Sequence, residues 1–319
     1  MTALLHPRLQ ALQSLYAASP LTPIVDAELS QRGVALWIKR DDLLHPVMSG
    51  NKWRKLKYIL NHALLIGADT LVSMGGAHSN HLHALAYAGH KLGLKTMAFV
   101  RGERPEPLNP TLTDLLDWGM TLQFVSRSDY RQLRAYKTHD ALPDLHPGQY
   151  WLPEGGASAL ALRGVGEILT EITQPFDVLL TACGTGTTLA GLTAAAPERA
   201  RLLGVAALKG ADFLADDVRQ LLAGKTIPSH WEILLNYHFG GFGKNTPELL
   251  DFIERFQDRH GVPLEPVYTG KMLFAVYDLL HQGYFKPGQR VVALHTGGLQ
   301  GARRQSVHEK HERHEKSVA

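Results

Sequence analysis

Short apolar runs alternate along this chain with longer stretches whose apolar positions recur every three or four residues, the pattern of strands alternating with helices. Residues 7–19 read as a short amphipathic helix, broken by Pro20 and Pro23. Residues 35–42, Ala-Leu-Trp-Ile-Lys-Arg-Asp-Asp, read as a strand entering a charged turn. A helix from Trp53 to Leu65 ends at Gly67, and an apolar strand, Thr70 to Met74, follows. After the turn at 75–81 come a helix (His83 to Leu92), a strand (Lys95 to Arg101), a helix (Pro110 to Trp118) and a strand (Leu122 to Val125). Residues 126–150 are polar and turn-rich, then Tyr150 to Leu152 read as a strand leading through Pro153-Glu154-Gly155-Gly156 into a crossover. The strand–helix alternation resumes with helix 159–174, strand Val178 to Ala182, helix Leu189 to Ala196 and strand Leu202 to Ala207. A helix at Pro247 to His260 and a last strand, Arg290 to Leu294, complete it.

Repeated βαβ units of this kind predict an α/β protein with two open twisted sheets, the middle of the chain forming the smaller lobe. The expected boundaries are 1–53 plus 161–302 for a large domain and 54–160 for a small one. Residues 303–319 form a charged tail, in which His308, His311 and His314 stand among charges in a frayed helix or disordered extension. A chain of 319 residues is long enough for two lobes. The hydrophobic share of 45% and charged share of 20% fit a soluble globular enzyme. With a net charge of +3 and no basic stripe, nucleic acid is not an expected partner. No apolar run approaches a membrane span, and residues 1–13 lack a signal-peptide core. The single cysteine, Cys183, precludes an intrachain disulfide and suits a reducing cytoplasm.

Four stretches carry candidate chemistry. Lys52 follows the turn Ser49-Gly50-Asn51 and opens a helix, where the positive end of the dipole lowers an amine's pKa and favours Schiff-base chemistry. Arg54, Lys55 and Lys57, which follow, read as a solvated basic face. Gly184-Thr185-Gly186-Thr187-Thr188 lies between a strand and a helix, where converging N–H groups favour a phosphate. A dinucleotide fingerprint would want a glycine at Leu189 and an acid at the next strand's tip, which reads Ala207-Leu208-Lys209; a plain structural glycine turn is the other alternative. The turn Gly76-Ala77-His78-Ser79-Asn80-His81 presents polar side chains where open sheets bind ligands, with Ser79 and Asn80 also suited to capping a helix. His78, His81 and His83 lack the i, i+4 spacing of a helical zinc site and no acid completes a set, so no metal is expected. Val267-Tyr268-Thr269-Gly270-Lys271 forms a turn before a helix-like run, where Tyr268 could equally be a packing tyrosine.

Together with Pro153-Glu154-Gly155-Gly156 and His295-Thr296-Gly297-Gly298, these motifs, in this order, resemble the family of 1-aminocyclopropane-1-carboxylate (ACC) deaminase and D-cysteine desulfhydrase. These are pyridoxal 5′-phosphate (PLP) enzymes of fold type II, the tryptophan synthase β-like class, with the cofactor in the cleft between two domains. The resemblance spans about residues 20–300. It implies that Lys52 carries PLP as a Schiff base and later moves the substrate's proton, and that Asn80 hydrogen-bonds the cofactor's phenolic oxygen. Ser79 would lie by the substrate carboxylate or act in catalysis, and Gly184, Thr185, Gly186, Thr187 and Thr188 would hold the phosphate. Tyr268 would stand close to a small amino-acid substrate and Thr296 beside the pyridine nitrogen. A homodimer is also implied.

Two positions depart from the family pattern. ACC deaminases have a glutamate after the tyrosine matching Tyr268, and this chain has Thr269. A carboxylate there keeps the pyridine nitrogen protonated and the electron sink strong; a neutral hydroxyl does not. The expected reaction is therefore a desulfhydrase-like β-elimination, D-cysteine to pyruvate, hydrogen sulfide and ammonia. ACC opening to 2-oxobutyrate and ammonia is the alternative. The other departure is Phe242, in His238-Phe239-Gly240-Gly241-Phe242-Gly243, where a segment ending Tyr-Gly is expected; it offers no phenol. A non-catalytic PLP-binding protein and a nucleotide-dependent oxidoreductase stay open as readings from other classes.

Overall fold

A computed structural model of the chain describes residues 4–227 and 230–300; the charged tail 303–319 lies outside them. The strands are β1 (Leu21–Ile24), β2 (Ala35–Lys39), β3 (Thr70–Gly76), β4 (Lys95–Arg101) and β5 (Met120–Val125), then β6 (Gln149–Leu152), β7 (Val178–Cys183), β8 (Arg201–Ala206), β9 (His230–Leu234) and β10 (Arg290–Leu294). The first helices are α1 (Pro7–Gln13), α2 (Ala27–Gln31), α3 (Asn51–Leu65), α4 (Asn80–Leu92), α5 (Pro110–Asp117) and α6 (Arg127–Leu133). After them come α7 (Ala159–Thr170), α8 (Thr187–Ala195), α9 (Phe213–Leu221), α10 (Pro247–His260) and α11 (Thr269–His281).

One sheet has the order β1-β2-β10-β7-β8-β9, the other β5-β4-β3-β6. Among the described residues only β1 pairs antiparallel, on β2, and every other pairing is parallel. A parallel sheet needs cover on both faces, which is why β7, Val-Leu-Leu-Thr-Ala-Cys, is buried at every position. Its side chains alternate between two cores. Val178, Leu180 and Ala182 pack with Met272, Leu273 and Val276 of α11. Leu179 and Cys183 pack on the other face with Leu162 and Val165 of α7 and Leu189 of α8. The second sheet is covered by α3 and α4 through Leu56, Ile59, Leu60, Leu82 and Leu85, a core that Leu9 and Leu12 of α1 join. Among the described residues no helix is long and apolar enough to cross a membrane.

The elements depart from the sequence pattern where apolar content is thin or proline misleads. Pro23 lies inside β1, and β1 is an edge strand, where a missing N–H is tolerated. α1 stops at Gln13, and the chain turns so that Tyr16 stacks on Trp53 at 4.2 Å. The stretch 126–150 contains α6, which buries only Tyr130; α9, with Leu214 and Val218 buried, and the edge strand β9 were likewise unmarked by periodicity.

Candidate active site

The helix starts differ in how they are capped. α4, α5, α6, α7 and α10 follow Ser79, Asn109, Ser126, Ser158 and Thr246, each of whose side chains accepts a backbone N–H of the first turn. α3 and α8 instead follow glycines, Gly50 and Gly186, with no side-chain cap. Both glycines are required. Gly50 has φ +65° and a Cβ there would stand 1.9 Å from the Thr296 carbonyl oxygen; Gly186 has φ +69° and a Cβ there would stand 2.6 Å from Val218 Cγ2. The close approach at Gly50 seats the start of α3 on the end of β10, where the Asn51 N–H donates to the Thr296 carbonyl at 3.4 Å.

That seating places Lys52. Its Nζ donates to Asn51 Oδ1 at 2.7 Å, and Asn51 Nδ2 donates to Thr188 Oγ1 at 2.9 Å. Asn51 thus ties the amine to the Gly184–Thr188 loop. Burial lowers the Lys52 amine to about 8, a shift that the Glu265 carboxylate partly opposes. In the loop itself, Thr187 and Thr188 are buried, Thr185 and Thr187 share a hydroxyl contact of 3.0 Å, and the first turn of α8 leaves its N–H groups free of any side-chain cap.

The basic residues after Lys52 are not a solvated face, contrary to the sequence reading. Arg54, Lys55 and Lys57 are all buried. Arg54 holds Asp41 and Glu171, and Lys57 holds Glu167, so these two anchor α3 to the β2 turn and to α7. Lys55 differs: among the described residues no carboxylate lies within ion-pair distance of it. Burial and the neighbouring Lys52 push its amine well down, while Cys183, next to the glycine loop, acts in the other direction. A buried lysine amine with no counter-ion among the described residues, beside a glycine loop with uncapped N–H groups, fits a phosphate monoester.

From the second sheet, α4 contributes Ser79, Asn80 and His81. The Ser79 hydroxyl accepts the Leu82 N–H at 3.2 Å, so it caps its helix. Asn80 Oδ1 accepts from Gln300 Nε2 at 2.8 Å, and its Nδ2 would be 2.9 Å from a Cβ on Gly298, just past β10. Ser73 Oγ donates its single proton to the Leu152 carbonyl at 2.9 Å, so the 2.9 Å contact with His81 requires Nε2 to carry hydrogen. Nδ1 of His81 is then a buried lone pair without a hydrogen-bond partner. Burial, and after it the charges of Lys52 and Lys55, lower this imidazole to about 3.

α11 supplies the opposite wall. Tyr268 lies against the loop, its ring 3.2 Å from where a Gly184 Cβ would be. Burial raises its phenol, and the Glu265 and Glu154 charges add to that. Glu265 accepts the N–H groups of Val267, Tyr268 and Thr269 at 2.7, 2.9 and 2.6 Å and the Thr269 hydroxyl at 3.1 Å. It caps α11 from upstream, and burial raises its carboxyl while these bonds lower it.

Lys52, Thr188, Gly184, Tyr268, Asn80 and Thr296 therefore converge where the C-terminal ends of β7 and β10 meet the starts of α3, α4, α8 and α11. Sequence reasoning missed Asn51, Lys55, His81 as a neutral base, and Glu265. The signal for Glu265 was there: an acid followed by proline just ahead of a helix. Lys55 gave none, since a buried lysine and a surface lysine look alike in a basic run.

Comparison with known proteins gives one direction. Residues 18–297 match the family model described as pyridoxal-phosphate dependent enzyme. A Pyrococcus horikoshii protein provisionally named as a 1-aminocyclopropane-1-carboxylate deaminase is 33% identical, over 93% of this chain and 96% of its own. An Arabidopsis thaliana protein named as a bifunctional mitochondrial D-cysteine desulfhydrase and ACC deaminase is 30% identical, over 84% of this chain and 73% of its own. The solved structure of an ACC deaminase homologue superposes with a TM-score of 0.74 at 31% identity, covering 93% of this chain and 96% of that one. The chain belongs to the family of pyridoxal-phosphate dependent enzymes.

Proposed function

We propose that this protein is a PLP-dependent lyase that releases a leaving group from Cβ of a small amino acid, D-cysteine desulfhydrase-like in its reaction. When bound, PLP supplies the electron sink that makes a Cα proton removable. Lys52 is the residue we assign to carry it and to move that proton. An amine near 8 is about 9% neutral at pH 7, against about 0.03% for an ordinary lysine at 10.5. Gly184, Thr185, Gly186, Thr187 and Thr188 are assigned to the phosphate, with Lys55 as its counter-charge. Asn80 and Thr296 are assigned to the ring, and Ser79 and Tyr268 to the substrate side.

The observation that carries the choice of reaction is Thr269. Its hydroxyl is fully buried and donates to Glu265, whose carboxylate already holds three backbone N–H groups. The first turn of α11 thus presents no carboxylate left over to protonate a pyridine nitrogen. Elimination of a good leaving group from Cβ needs a weaker sink than opening an unactivated cyclopropane. Ring opening of ACC is the second reading, favoured by the names of the relatives. The test is a side-by-side assay of the PLP-saturated protein on D-cysteine and on ACC. Pyruvate from D-cysteine with little 2-oxobutyrate from ACC is expected; ACC turnover matching or exceeding the elimination overturns the Thr269 argument.

We also propose a homodimer, lobe boundaries at 1–53 with 161–302 and 54–160, and a cytoplasmic location. The first accords with the family resemblance and with apolar Leu65 and Ile66 standing exposed at the end of α3. The last accords with a lone, buried Cys183.

A further inference from the structure

The segment between β9 and α10 contains His238-Phe239-Gly240-Gly241-Phe242-Gly243. It is pinned from α11 at two points. Lys271, fully buried, donates to the carbonyl oxygens of His238 at 2.8 Å, Gly241 at 2.9 Å and Ala207 at 3.3 Å, which uses all three ammonium hydrogens. Phe239 packs edge-on against Phe274 with ring centres 4.9 Å apart. Phe239 is held at φ 49°, a left-handed conformation that a phenylalanine rarely adopts and that persists only where anchors over-determine it.

These anchors set the course of the chain beyond Gly241. Phe242 stands edge-on to Tyr268, ring centres 5.8 Å apart, and the Tyr268 ring lies against Gly184 of the glycine loop. Phe242 is nonetheless 49% exposed, so this large ring has one face in solvent beside the candidate site. Between His238 and Lys244 the segment contributes only phenyl rings and glycine backbone. Apart from the Tyr268 phenol beside it, the stretch between His238 and Lys244 offers a departing thiolate no side-chain donor, whereas an alkyl or aryl substituent on the sulfur would cover the exposed face.

We propose that Phe242, held in place by Lys271 as a positioning residue, forms the wall of an apolar leaving-group subsite beside Tyr268. The substrates that fit it are amino acids whose Cβ carries an S-alkyl or S-aryl thioether. The proposal rests on the β-elimination reading above. In the reaction the Cα proton is removed and the Cβ–S electron pair departs with sulfur, which takes up a proton as the free thiol. The released 2-aminoacrylate is hydrolysed to pyruvate and ammonia, with water as the only co-reactant.

The experiment compares PLP-loaded protein and its Phe242→Tyr, Phe242→Ala and Lys271→Met variants on cysteine, S-methylcysteine and S-benzylcysteine, both enantiomers of each. It reads kcat and KM separately, and dissociation constants from the change in cofactor absorbance on binding. The unmodified protein should favour the S-benzyl over the free-thiol substrate by about tenfold or more in kcat/KM, the worth of apolar contact in a pocket. Phe242→Ala should erase that preference through KM, Phe242→Tyr should reduce it, and Lys271→Met should move it the same way as Phe242→Ala. Preference for the free thiol, or a preference intact in Phe242→Ala, overturns the proposal, and the phenylalanine variants decide it alone if Lys271→Met does not fold. If no substrate yields pyruvate, the elimination reading falls and binding decides the wall. Tighter binding of S-benzylcysteine that is lost in Phe242→Ala sustains it, and equal binding removes it.

Discussion

Replacing Glu265 by glutamine removes one buried charge and exchanges an acceptor for a donor. Oε1 accepts from Tyr268, Thr269 and the Thr269 hydroxyl, and Oε2 accepts from Val267. If the glutamine oxygen keeps the three bonds of Oε1, its amide nitrogen faces the Val267 N–H, donor against donor. Losing one charge-assisted bond and leaving a half-buried N–H unpaired costs about 2 kcal/mol after the relief of an uncharged side chain in a buried place. For a chain of 319 residues that is a fall in Tm of about 3 °C. The electrostatic effect runs in a definite direction. Glu265 holds the Lys52 pKa up against burial, so its removal takes that pKa below about 8. A lower pKa means fewer protons on Lys52 at neutral pH and a larger reactive fraction, so cofactor capture by the apoprotein should have its pH midpoint moved downward. The assay is the rate of PLP uptake across pH 6–10 for the two proteins, with thermal unfolding in parallel. An unmoved or raised midpoint would refute the link between Glu265 and Lys52, and an unchanged Tm would refute the capping role.

Borohydride reduction of the PLP-loaded protein followed by peptide mapping should place the pyridoxyl group on Lys52; a label on Lys55 or Lys271 overturns the assignment. Gly186→Asp should abolish PLP retention, because a side chain there meets Val218 and carries a like charge, whereas Thr187→Ala should weaken it by about 1.5–3 kcal/mol, one bond to a charged group. His81 should remain neutral with hydrogen on Nε2, so its ring nitrogen shifts should be flat from pH 5 to pH 8. A titration near 6.5 would contradict the buried lone pair.

The sheet architecture was legible where strands are buried on both faces and leave unbroken apolar runs, β7 above all. Elements that bury one or two side chains, such as α6 and α9, leave no such trace. The candidate site was legible as far as it consists of turns, since Gly50 and Gly186 mark places where a Cβ cannot fit. What the sequence hid is set by the environment of side chains. Lys52, Lys55 and Lys57 stand in one run, yet one donates to Asn51, one has no counter-ion among the described residues and one holds Glu167. Thr269 showed where a carboxylate is missing, but not that Glu265 lies one hydrogen bond behind it.

The place of β10 in the sheet has a consequence in time. The last strand, Arg290–Leu294, is inserted between β2 and β7, so the chain's second strand has no permanent neighbour on that side until residue 290 has been made. At ~5–20 residues per second, β2 waits roughly 10–50 s during synthesis. Through that interval the start of α3 lacks the Thr296 carbonyl that seats it, and Lys52 has no fixed post. A nascent chain arrested before Arg290 is expected to take up no PLP, and firm cofactor capture by such a chain would show that the amine is placed without its last support.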